Sequence, residues 1–184
     1  MSTHEISAPL RDEDLEKLQA GDRVSITGTV YTARDAAHKK LIELLEQGEQ
    51  LPVDLQGQII YYVGPTPTKP GDVIGSAGPT TSGRMDSYTP QILGAGVKAL
   101  IGKGSRSQGV RDALQQHKAV YLAAVGGAAA LIKESITQCE IVAYEELGPE
   151  AVRRLEVKDF PAVVVNDIYG NDLYEQGKKA YAKK

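Results

Sequence analysis

The sequence predicts an α/β domain with a mixed sheet, on three observations. Strand-like and helix-like segments alternate between residues 98 and 144. Two further strand-like segments near the C-terminus flank a turn, as in an antiparallel hairpin. The chain has 184 residues, 41% of them hydrophobic, and chains of about 150 residues already bury enough surface to hold a core. We therefore expect one domain over residues 1–184, with its core between about residues 10 and 174.

The N-terminal third predicts a helix, a strand and a second helix. Asp12–Ala20 has the pattern of a short helix. Val24–Val30 alternates apolar and polar side chains with a period of two, which is typical of a half-buried strand. Asp35 can cap the next helix, which Gly48 closes. The strand therefore delivers Arg34 to a strand-to-helix corner.

The middle of the chain is rich in turns. Gln58–Val63 predicts a buried strand, and the prolines and glycines of Gly64–Gly71 predict a surface loop after it. A second turn-rich stretch, Gly75–Arg84, leads into a helix from about Asp86 to Leu93.

The C-terminal half alternates strands and helices. The predicted strands are Lys98–Ile101, Ala119–Val125 and Glu140–Tyr144, and the predicted helices are Gln108–His117 and Gly127–Lys133. The expected hairpin pairs Ala162–Asn166 with Asp172–Tyr174 around a turn at residues 169–171. The lysine-rich end, Lys178–Lys184, is expected to be a solvated helix or a frayed tail.

Charge and hydropathy argue against two classes of partner. The formal net charge is −3 and the basic residues form no stripe, so nucleic acid is not expected as the main partner. No apolar run reaches the roughly 18 to 20 residues of a membrane span, so no membrane is expected either. Met1–Leu10 has acidic and polar residues where a secretory signal has an apolar run, and the expected compartment is the cytoplasm.

The residue types that hold metals are sparse. The single cysteine, Cys139, cannot by itself hold a zinc ion or an iron–sulfur cluster, which need about three or four ligands. We expect no metal ligand in this chain, so such a cofactor must belong to a partner. The histidines His4, His38 and His117 are expected to be structural, with His4 in a loose terminus. Ser-His-Asp and His-Glu-x-x-His patterns do not occur in the sequence.

The segment Gly78–Asp86, here called the threonine loop, reads Gly-Pro-Thr-Thr-Ser-Gly-Arg-Met-Asp. Its hydroxyl groups and guanidinium precede a predicted helix, where free backbone N–H groups and the helix dipole suit an anion. A capped turn is the other interpretation, with Thr81 or Ser82 as the N-cap and Arg84 in solvent. The residues leave both open.

The segment Gly102–Ser107, here called the lysine loop, has the same design after a predicted strand. It is not a P-loop, because that motif has Ser or Thr directly after its lysine and here Gly104 follows Lys103. No dinucleotide fingerprint follows a strand, and close packing of a helix on a sheet explains Gly126–Ala130 better than a ligand does. Lys103 is either a ligand-binding cation or a surface charge.

Three cations therefore stand at chain corners: Arg34, Arg84 and Lys103. An arginine fork binds a carboxylate through two parallel hydrogen bonds, so a small di-acid fits better than a nucleotide. No acid or base adjoins the threonine pair in sequence, so the site looks like half of a complete one.

Four motifs carry a resemblance to a known family: Ala33–His38 (Ala-Arg-Asp-Ala-Ala-His), the threonine loop, Gly102–Gly104 and Gly126–Ala130. In order and spacing, from about Leu10 to Tyr174, they resemble the beta subunit, or C-terminal domain, of the iron–sulfur hydro-lyases. This family includes class I fumarase and L(+)-tartrate dehydratase.

The resemblance implies a swivelling beta/beta/alpha domain that closes over a [4Fe–4S] cluster carried by an alpha subunit. One iron of that cluster would act as a Lewis acid on the substrate's hydroxyl. By motif match, Arg34, Arg84 and Lys103 would bind the carboxylates of a small dicarboxylate. Thr80 or Thr81 would lie at the carbon that loses its proton, and Thr80 is the first choice.

A neutral threonine hydroxyl is a weak base, so three roles stay open for it. Cations such as Arg84 and Lys103 lower its pKa, or a nearby base takes its proton, or it positions a water molecule. Asp86 is expected to hold Arg84 in place rather than to act in catalysis.

The leading hypothesis is the beta subunit of a fumarate hydratase, which interconverts fumarate and L-malate and is inactive without its alpha subunit. Dehydration of L(+)-tartrate is the alternative within the class, because the same cations would accept a dihydroxy di-acid. A stand-alone module that binds a small carboxylate is the alternative from another class. Apolar surface left uncovered is expected to contact alpha, and to allow a homodimer when the chain is isolated.

Overall fold

The computed structural model describes residues 2–124 and 129–182, with backbone only at residues 129 and 130. The strands are β1 (Thr3–Ser7), β2 (Arg23–Thr32), β3 (Ile59–Tyr61), β4 (Ala99–Gly102), β5 (Val120–Ala124), β6 (Ile136–Ala143) and β7 (Val152–Asn166). The α-helices are α1 (Asp12–Leu15), α2 (Asp35–Gln47), α3 (Thr89–Gly94), α4 (Gln108–Gln116), α5 (Ala129–Ser135) and α6 (Leu173–Tyr181). Ser82–Met85 and Glu145–Glu150 form 3-10 helices. The predicted α/β class is confirmed.

A mixed sheet organises these elements. Strands β1 to β5 pair in parallel in chain order, and β7 runs antiparallel to both β5 and β2. Because β7 joins these two strands, β2, β3, β4, β5 and β7 close into a ring. β7 has 15 residues, which is long enough to pair with β6 along its first half and with β5 along its second. The predicted mixed sheet is confirmed, and the parallel strands all direct their carboxyl ends to one side.

Alternation along the strands separates two apolar cores. In β3, Ile59 and Tyr61 belong to the core inside the ring, whereas Ile60 belongs to an outer core with α2, α3 and α4. Adjacent residues of a strand point to opposite faces, so one short apolar run can serve both cores. This explains why Gln58–Val63 showed no alternation in the sequence and yet is a strand.

The N-terminus is an edge strand, and the expectation of a loose terminus is wrong. β1 pairs in parallel with β2 from Thr3 to Ser7. His4 lies within β1, with its Nε2 3.2 Å from Oδ2 of Asp22. The periodic signal was too weak to reveal this strand, because Ile6 is its one buried apolar side chain.

The expected C-terminal hairpin is wrong as well. After β7 the chain turns into α6, and a single bridge between Asn166 and Asp172 remains of the expected pairing. Asp172 is the N-cap of α6, where its carboxylate accepts hydrogen bonds from the N–H groups of Tyr174 and Glu175 at 2.8 and 3.1 Å. The capping interaction stabilises a helix where the turn signal alone favoured a strand. Within the lysine-rich end, residues 178–181 belong to α6, which agrees with the helix among the two predicted alternatives.

Two helix starts differ from prediction. Arg34, rather than Asp35, occupies the N-cap position of α2, and Asp35 is the first helical residue. The helix expected from about Asp86 begins at Thr89, after the 3-10 helix of the threonine loop. Residues 125–128 lie outside the described ranges. Most of the segment Gly126–Ala130, for which close packing of a helix on the sheet was predicted, is among them.

None of the helices in residues 2–124 and 129–182 has both the length and the apolar composition needed to cross a membrane.

Candidate functional site

The predicted site residues follow the carboxyl ends of neighbouring parallel strands. Arg34 follows β2, Lys103 follows β4, and the threonine loop lies beside the end of β4. In α/β sheets this edge is where ligands commonly bind, because loops from several strands meet there. The topology therefore gathers residues that are up to 69 positions apart in sequence, from Arg34 to Lys103.

Backbone hydrogen bonds hold the threonine loop against the lysine loop. The N–H of Ser82 donates to the carbonyl of Lys103 at 2.9 Å, and the N–H of Lys103 donates to the carbonyl of Thr80 at 3.3 Å. The N–H of Thr80 in turn donates to the carbonyl of Tyr62 at 2.7 Å. Thr80, Thr81 and Lys103 are therefore neighbours, although 22 positions separate Thr81 from Lys103 in sequence.

Gly102 permits this close approach of the two loops. A Cβ atom at this position would overlap Oγ of Ser82 and would lie 2.9 Å from Cδ2 of Tyr62. Any side chain here would push the threonine loop away from the lysine loop. The absence of a side chain at Gly102 therefore lets the two loops pack together, a role that could not be predicted from the neighbouring sequence.

The two arginines of the predicted site meet at one carboxylate. Nε of Arg84 donates to Oδ1 of Asp35 at 3.0 Å, and Nη2 of Arg34 lies 3.6 Å from Oδ2 of Asp35. Nε of Arg34 also lies 3.5 Å from Oε1 of Glu150, at the end of a 3-10 helix. Asp35, the first residue of α2, thus links Arg84 to Arg34.

The environments of these cations differ. The side chain of Arg34 is 22% exposed and lies against Gly64, where a Cβ atom would come within 2.8 Å of Nη1. Arg84 is 55% exposed, and Lys103 is also exposed. A ligand from solvent can therefore reach Arg84 and Lys103 directly. Only the exposed fifth of the Arg34 side chain is accessible to it.

The threonine loop uses its hydroxyl groups in a way that differs from a capped turn. Thr81 occupies the N-cap position of the 3-10 helix, but its side chain makes no capping hydrogen bond. Ser82 is buried, with its Oγ 2.9 Å from the hydroxyl of Tyr121. Thr81 is exposed and Thr80 half-buried, so solvent reaches both candidate residues.

Asp86 does not hold Arg84, and that expectation is wrong. Its Oδ1 accepts from Nε of Arg106 at 2.8 Å, and its Oδ2 accepts from the N–H of Ser107 at 2.7 Å. Asp35 makes the contact to Arg84 that was expected of Asp86. Arg106, Asp35 and Glu150 were missed as site residues, because pairs between distant loops leave no spacing pattern in the sequence.

His38 lies behind Arg34 and has a structural setting, as expected. Its Nδ1 donates to the carbonyl of Arg34 at 2.8 Å, and its ring packs edge-on against Tyr62 and stacked against Tyr88. Burial lowers the pKa of His38 to about 4, so the ring is neutral near pH 7. A neutral ring avoids a further positive charge beneath Arg34.

The described residues give no ligand set for a metal. Within residues 2–124 and 129–182, no group of three or more His, Cys, Asp or Glu side chains could hold a metal ion. Cys139 is half-buried in β6, and burial raises the pKa of its thiol. These residues do not fit an iron–sulfur cluster, which needs several cysteine thiolates.

Comparison with known proteins gives a family match over most of the chain. A family model described as Fumarase C-terminus matches residues 3–177. The match includes Arg34, Thr80, Thr81, Arg84 and Lys103.

The curated relatives differ in length. Fumarate hydratase class I, anaerobic, of Escherichia coli K12 is 43% identical over 176 residues, which are 94% of this chain and 32% of that protein. Fumarate hydratase 2 of Leishmania major is 45% identical over 166 residues, 89% of this chain and 29% of that protein. A protein named as an L(+)-tartrate dehydratase subunit beta, from Methanocaldococcus jannaschii, is 43% identical over 181 residues, 95% of this chain and 93% of that protein. This chain thus spans about a third of the fumarate hydratases and nearly all of the tartrate dehydratase subunit.

Proposed function

Because the chain belongs to the fumarase C-terminus family, we propose that it is the beta subunit of a hydro-lyase that interconverts fumarate and L-malate. One observation carries the proposal. The carboxyl edge of the parallel strands brings Lys103 next to Thr80 and Thr81, and links Arg84 to Arg34 through Asp35. This is an open, cationic corner with hydroxyl groups, as a dicarboxylate site requires.

The name of one relative supports the subunit role. The Methanocaldococcus jannaschii protein, which is 43% identical to this chain, is named as a subunit beta. In this proposal an alpha subunit supplies the other side of the site. An alpha subunit would also close the open side of the threonine loop.

The charges of the corner suit a dianionic substrate. Arg34, Arg84 and Lys103 carry three positive charges, and Asp35 and Glu150 carry two negative charges, so the corner is positive by one. Removing a proton from the carbon beside a carboxylate builds negative charge on that carboxylate. Cations fixed there in advance stabilise the transition state more than the ground state.

In this proposal Thr80 handles the proton and Thr81 assists it. Thr80 is half-buried, and its carbonyl accepts a hydrogen bond from the backbone N–H of Lys103. In this proposal the positive charge of Lys103 polarises the Thr80 hydroxyl when the substrate is bound. Thr80 then removes the proton, passes it on to a base, or positions the water that removes it. Each of these three roles requires that the Thr80 hydroxyl stays in place while charge develops on the substrate.

The cofactor belongs to the partner in this proposal. A [4Fe–4S] cluster on the alpha subunit would supply a Lewis acid for the hydroxyl group that leaves. This chain would contribute binding, orientation and proton transfer at Arg34, Arg84, Lys103 and the two threonines.

The test is an anaerobic assay of the chain co-purified with the alpha subunit from the same genome, using fumarate, L-malate and L(+)-tartrate. We expect reversible fumarate hydration by the complex and no activity from either chain alone. Turnover of tartrate without malate turnover would move the assignment to L(+)-tartrate dehydratase, which the Methanocaldococcus jannaschii relative favours by name. Activity of this chain alone, without iron, would overturn the subunit proposal.

Binding by the isolated chain separates an enzyme subunit from a stand-alone carboxylate-binding module. Calorimetry with L-malate should show weak binding before the alpha subunit is added, because only one side of the site is present. Tight binding by the isolated chain would favour the module.

A further inference from the structure

The side chain of Arg106, in the lysine loop, is completely buried. Its Nε donates to Oδ1 of Asp86 at 2.8 Å, and its Nη2 donates to Oγ1 of Thr89 at 2.7 Å. Its Nη1 donates to the hydroxyl of Tyr62 at 3.3 Å. The guanidinium of the lysine loop is therefore bound on one edge by the end of the threonine loop and by the start of α3.

Two tyrosine rings complete the surroundings of this cation. Cζ of Arg106 lies 5.3 Å from the ring centroid of Tyr62 and 4.9 Å from that of Tyr121. The hydroxyl of Tyr121 donates to the carbonyl of Gly104 at 2.8 Å and accepts from Oγ of Ser82 at 2.9 Å. Both rings favour a cation at their faces, and Tyr121 also bonds to each of the two loops.

The same cluster reaches the backbone next to the proposed catalytic groups. Tyr62 accepts the N–H of Thr80 through its carbonyl and binds Arg106 through its hydroxyl. Ser82 binds Tyr121 through its hydroxyl and Lys103 through its N–H. Any shift of Arg106 therefore moves groups that are directly bonded to Thr80 and to Lys103.

Stability alone does not account for a buried arginine at this place. Removing a guanidinium and a carboxylate from water is costly, and apolar residues of similar volume often give an equally stable or more stable fold. The ion pair adds a fixed orientation, because the N–H groups of the planar guanidinium donate to acceptors that lie in its own plane. A fixed geometry between two loops is the property that this pair supplies and an apolar pair does not.

We propose that Arg106 is a positioning residue that fixes the spacing between Thr80 and Lys103 by locking the threonine loop to the lysine loop. The inference rests on the proposed function for its effect on catalysis, and on the structure alone for its effect on the loops. Arg106 does not contact the substrate in this proposal. It acts through Asp86, Tyr62 and Tyr121.

The test uses two variants of the full chain, alone and in the complex with the alpha subunit. Arg106→Lys keeps the charge but loses the fork. The double variant Arg106→Met, Asp86→Leu replaces the pair with apolar side chains, so that no buried carboxylate is left unpaired. Arg111→Lys is the matched control, because Arg111 pairs with Asp172 at 2.9 Å on the side of α4 that faces α6.

In the full chain alone, hydrogen exchange at the N–H groups of Ser82 and Lys103 should become at least tenfold faster in both Arg106 variants. Exchange in the control should match the wild type. In the complex, kcat for fumarate hydration should fall at least thirtyfold while KM changes less than threefold, because Asp35 and Glu150 still hold Arg34 and Arg84 for the substrate carboxylates.

The outcomes separate the two proposals. Wild-type exchange at Ser82 and Lys103 in a folded variant overturns the positioning role, whatever the activity. Faster exchange with unchanged kcat overturns its catalytic importance. If the double variant does not fold, Arg106→Lys decides on the same measurements. A wild-type complex without hydro-lyase activity would refute the proposed function, and exchange would then decide on the positioning role by itself.

Discussion

The carboxylate of Asp35 accepts a hydrogen bond from Nε of Arg84, with 3.0 Å between the two atoms. Asp35 begins α2, and Arg84 lies in a 3-10 helix that comes 49 positions later in the chain. Only Nε is engaged by this contact, so the outer edge of the guanidinium stays open to a ligand. Asp35 therefore orients Arg84 without blocking it.

We expect Asp35→Asn to lower kcat about tenfold, which corresponds to about 1.4 kcal/mol of transition-state stabilisation. The amide keeps the size of the carboxylate but loses its charge, so Arg84 samples other orientations. KM should not rise, because the corner becomes more positive. Steady-state kinetics of the complex with fumarate checks this.

Thermal unfolding provides the structural control for Asp35→Asn. The pair is largely exposed on the Arg84 side, and such pairs contribute about 0.2 to 1 kcal/mol to stability. The midpoint should therefore move little. Glu43→Gln, in the same helix and exposed, should leave both measurements unchanged. A variant at Asp35 with wild-type kcat would contradict the orienting role.

Arg84→Lys separates charge from geometry. Lysine keeps the positive charge but presents a point donor, so it loses the parallel hydrogen bonds to a substrate carboxylate. We expect a loss of about 2 to 4 kcal/mol of transition-state stabilisation, or roughly thirty- to a thousand-fold in kcat/KM. Folding should hardly change.

Arg154→Lys is the matched control for that variant. Arg154 is 45% exposed against 55% for Arg84, and each pairs with a carboxylate at 3.0 Å. The control pair lies on β6 and β7, away from the threonine loop. If both variants behave like the wild type, Arg84 is a surface charge and the threonine loop is only a turn.

The sequence predicted the parts of the fold that rest on local periodicity. The alternation in Val24–Val30 and the strand–helix repeats from residue 98 onward correspond to β2, β4, β5 and α4. Two strands were missed in whole or in part. β1 has only one buried apolar residue, and the first part of the 15-residue strand β7 was not predicted. Asp172 was assigned to a strand, since the turn before it gave a stronger signal than its capping ability.

At the candidate site too, local patterns predicted some residues and missed others. Arg34 was predicted at a strand-to-helix corner, and Thr80, Thr81, Arg84 and Lys103 in glycine-flanked loops. Their roles at a site came from the resemblance to the hydro-lyase family. The ion pairs around them could not be predicted, because Asp35 with Arg84, Glu150 with Arg34 and Arg106 with Asp86 lie 20 to 116 positions apart in sequence. Contacts of that range depend on how the strands are ordered in the sheet, which local patterns do not contain.

The two threonines should respond differently to removal of the hydroxyl group. Thr80→Ala should lower kcat with little effect on KM if Thr80 handles the proton, because that role is confined to the transition state. The hydrogen bonds that place Thr80 come from its backbone N–H and carbonyl, so alanine should keep the loop in position. Thr81→Ala, at the exposed neighbour, is the control and should reduce kcat less.

Crystallographic or hydrogen-exchange comparison of Thr80→Ala with the wild type should show an unchanged loop. Near-normal turnover in both variants of the complex would refute a proton-transfer role for either threonine. A larger loss at Thr81 than at Thr80 would exchange their roles.

His38 should give the fold a pH dependence in the acid range. Burial lowers its pKa to about 4 in the folded chain, whereas the pKa of a histidine in an unfolded chain is about 6.5. Between these values the unfolded chain binds a proton that the folded chain does not, so stability falls as pH falls. The total effect of this shift is about 3 kcal/mol.

The measurement is the free energy of unfolding by urea between pH 7 and pH 4.5, for the wild type and for His38→Phe. Phenylalanine keeps a ring against Tyr62 and Tyr88 but cannot bind a proton, so its stability should fall less steeply with decreasing pH. His117→Gln, at the C-cap of α4, is the control and should keep the wild-type slope. Parallel curves for His38→Phe and the wild type would show that His38 is not the group that titrates, and that the loss of stability in acid arises from carboxylates instead.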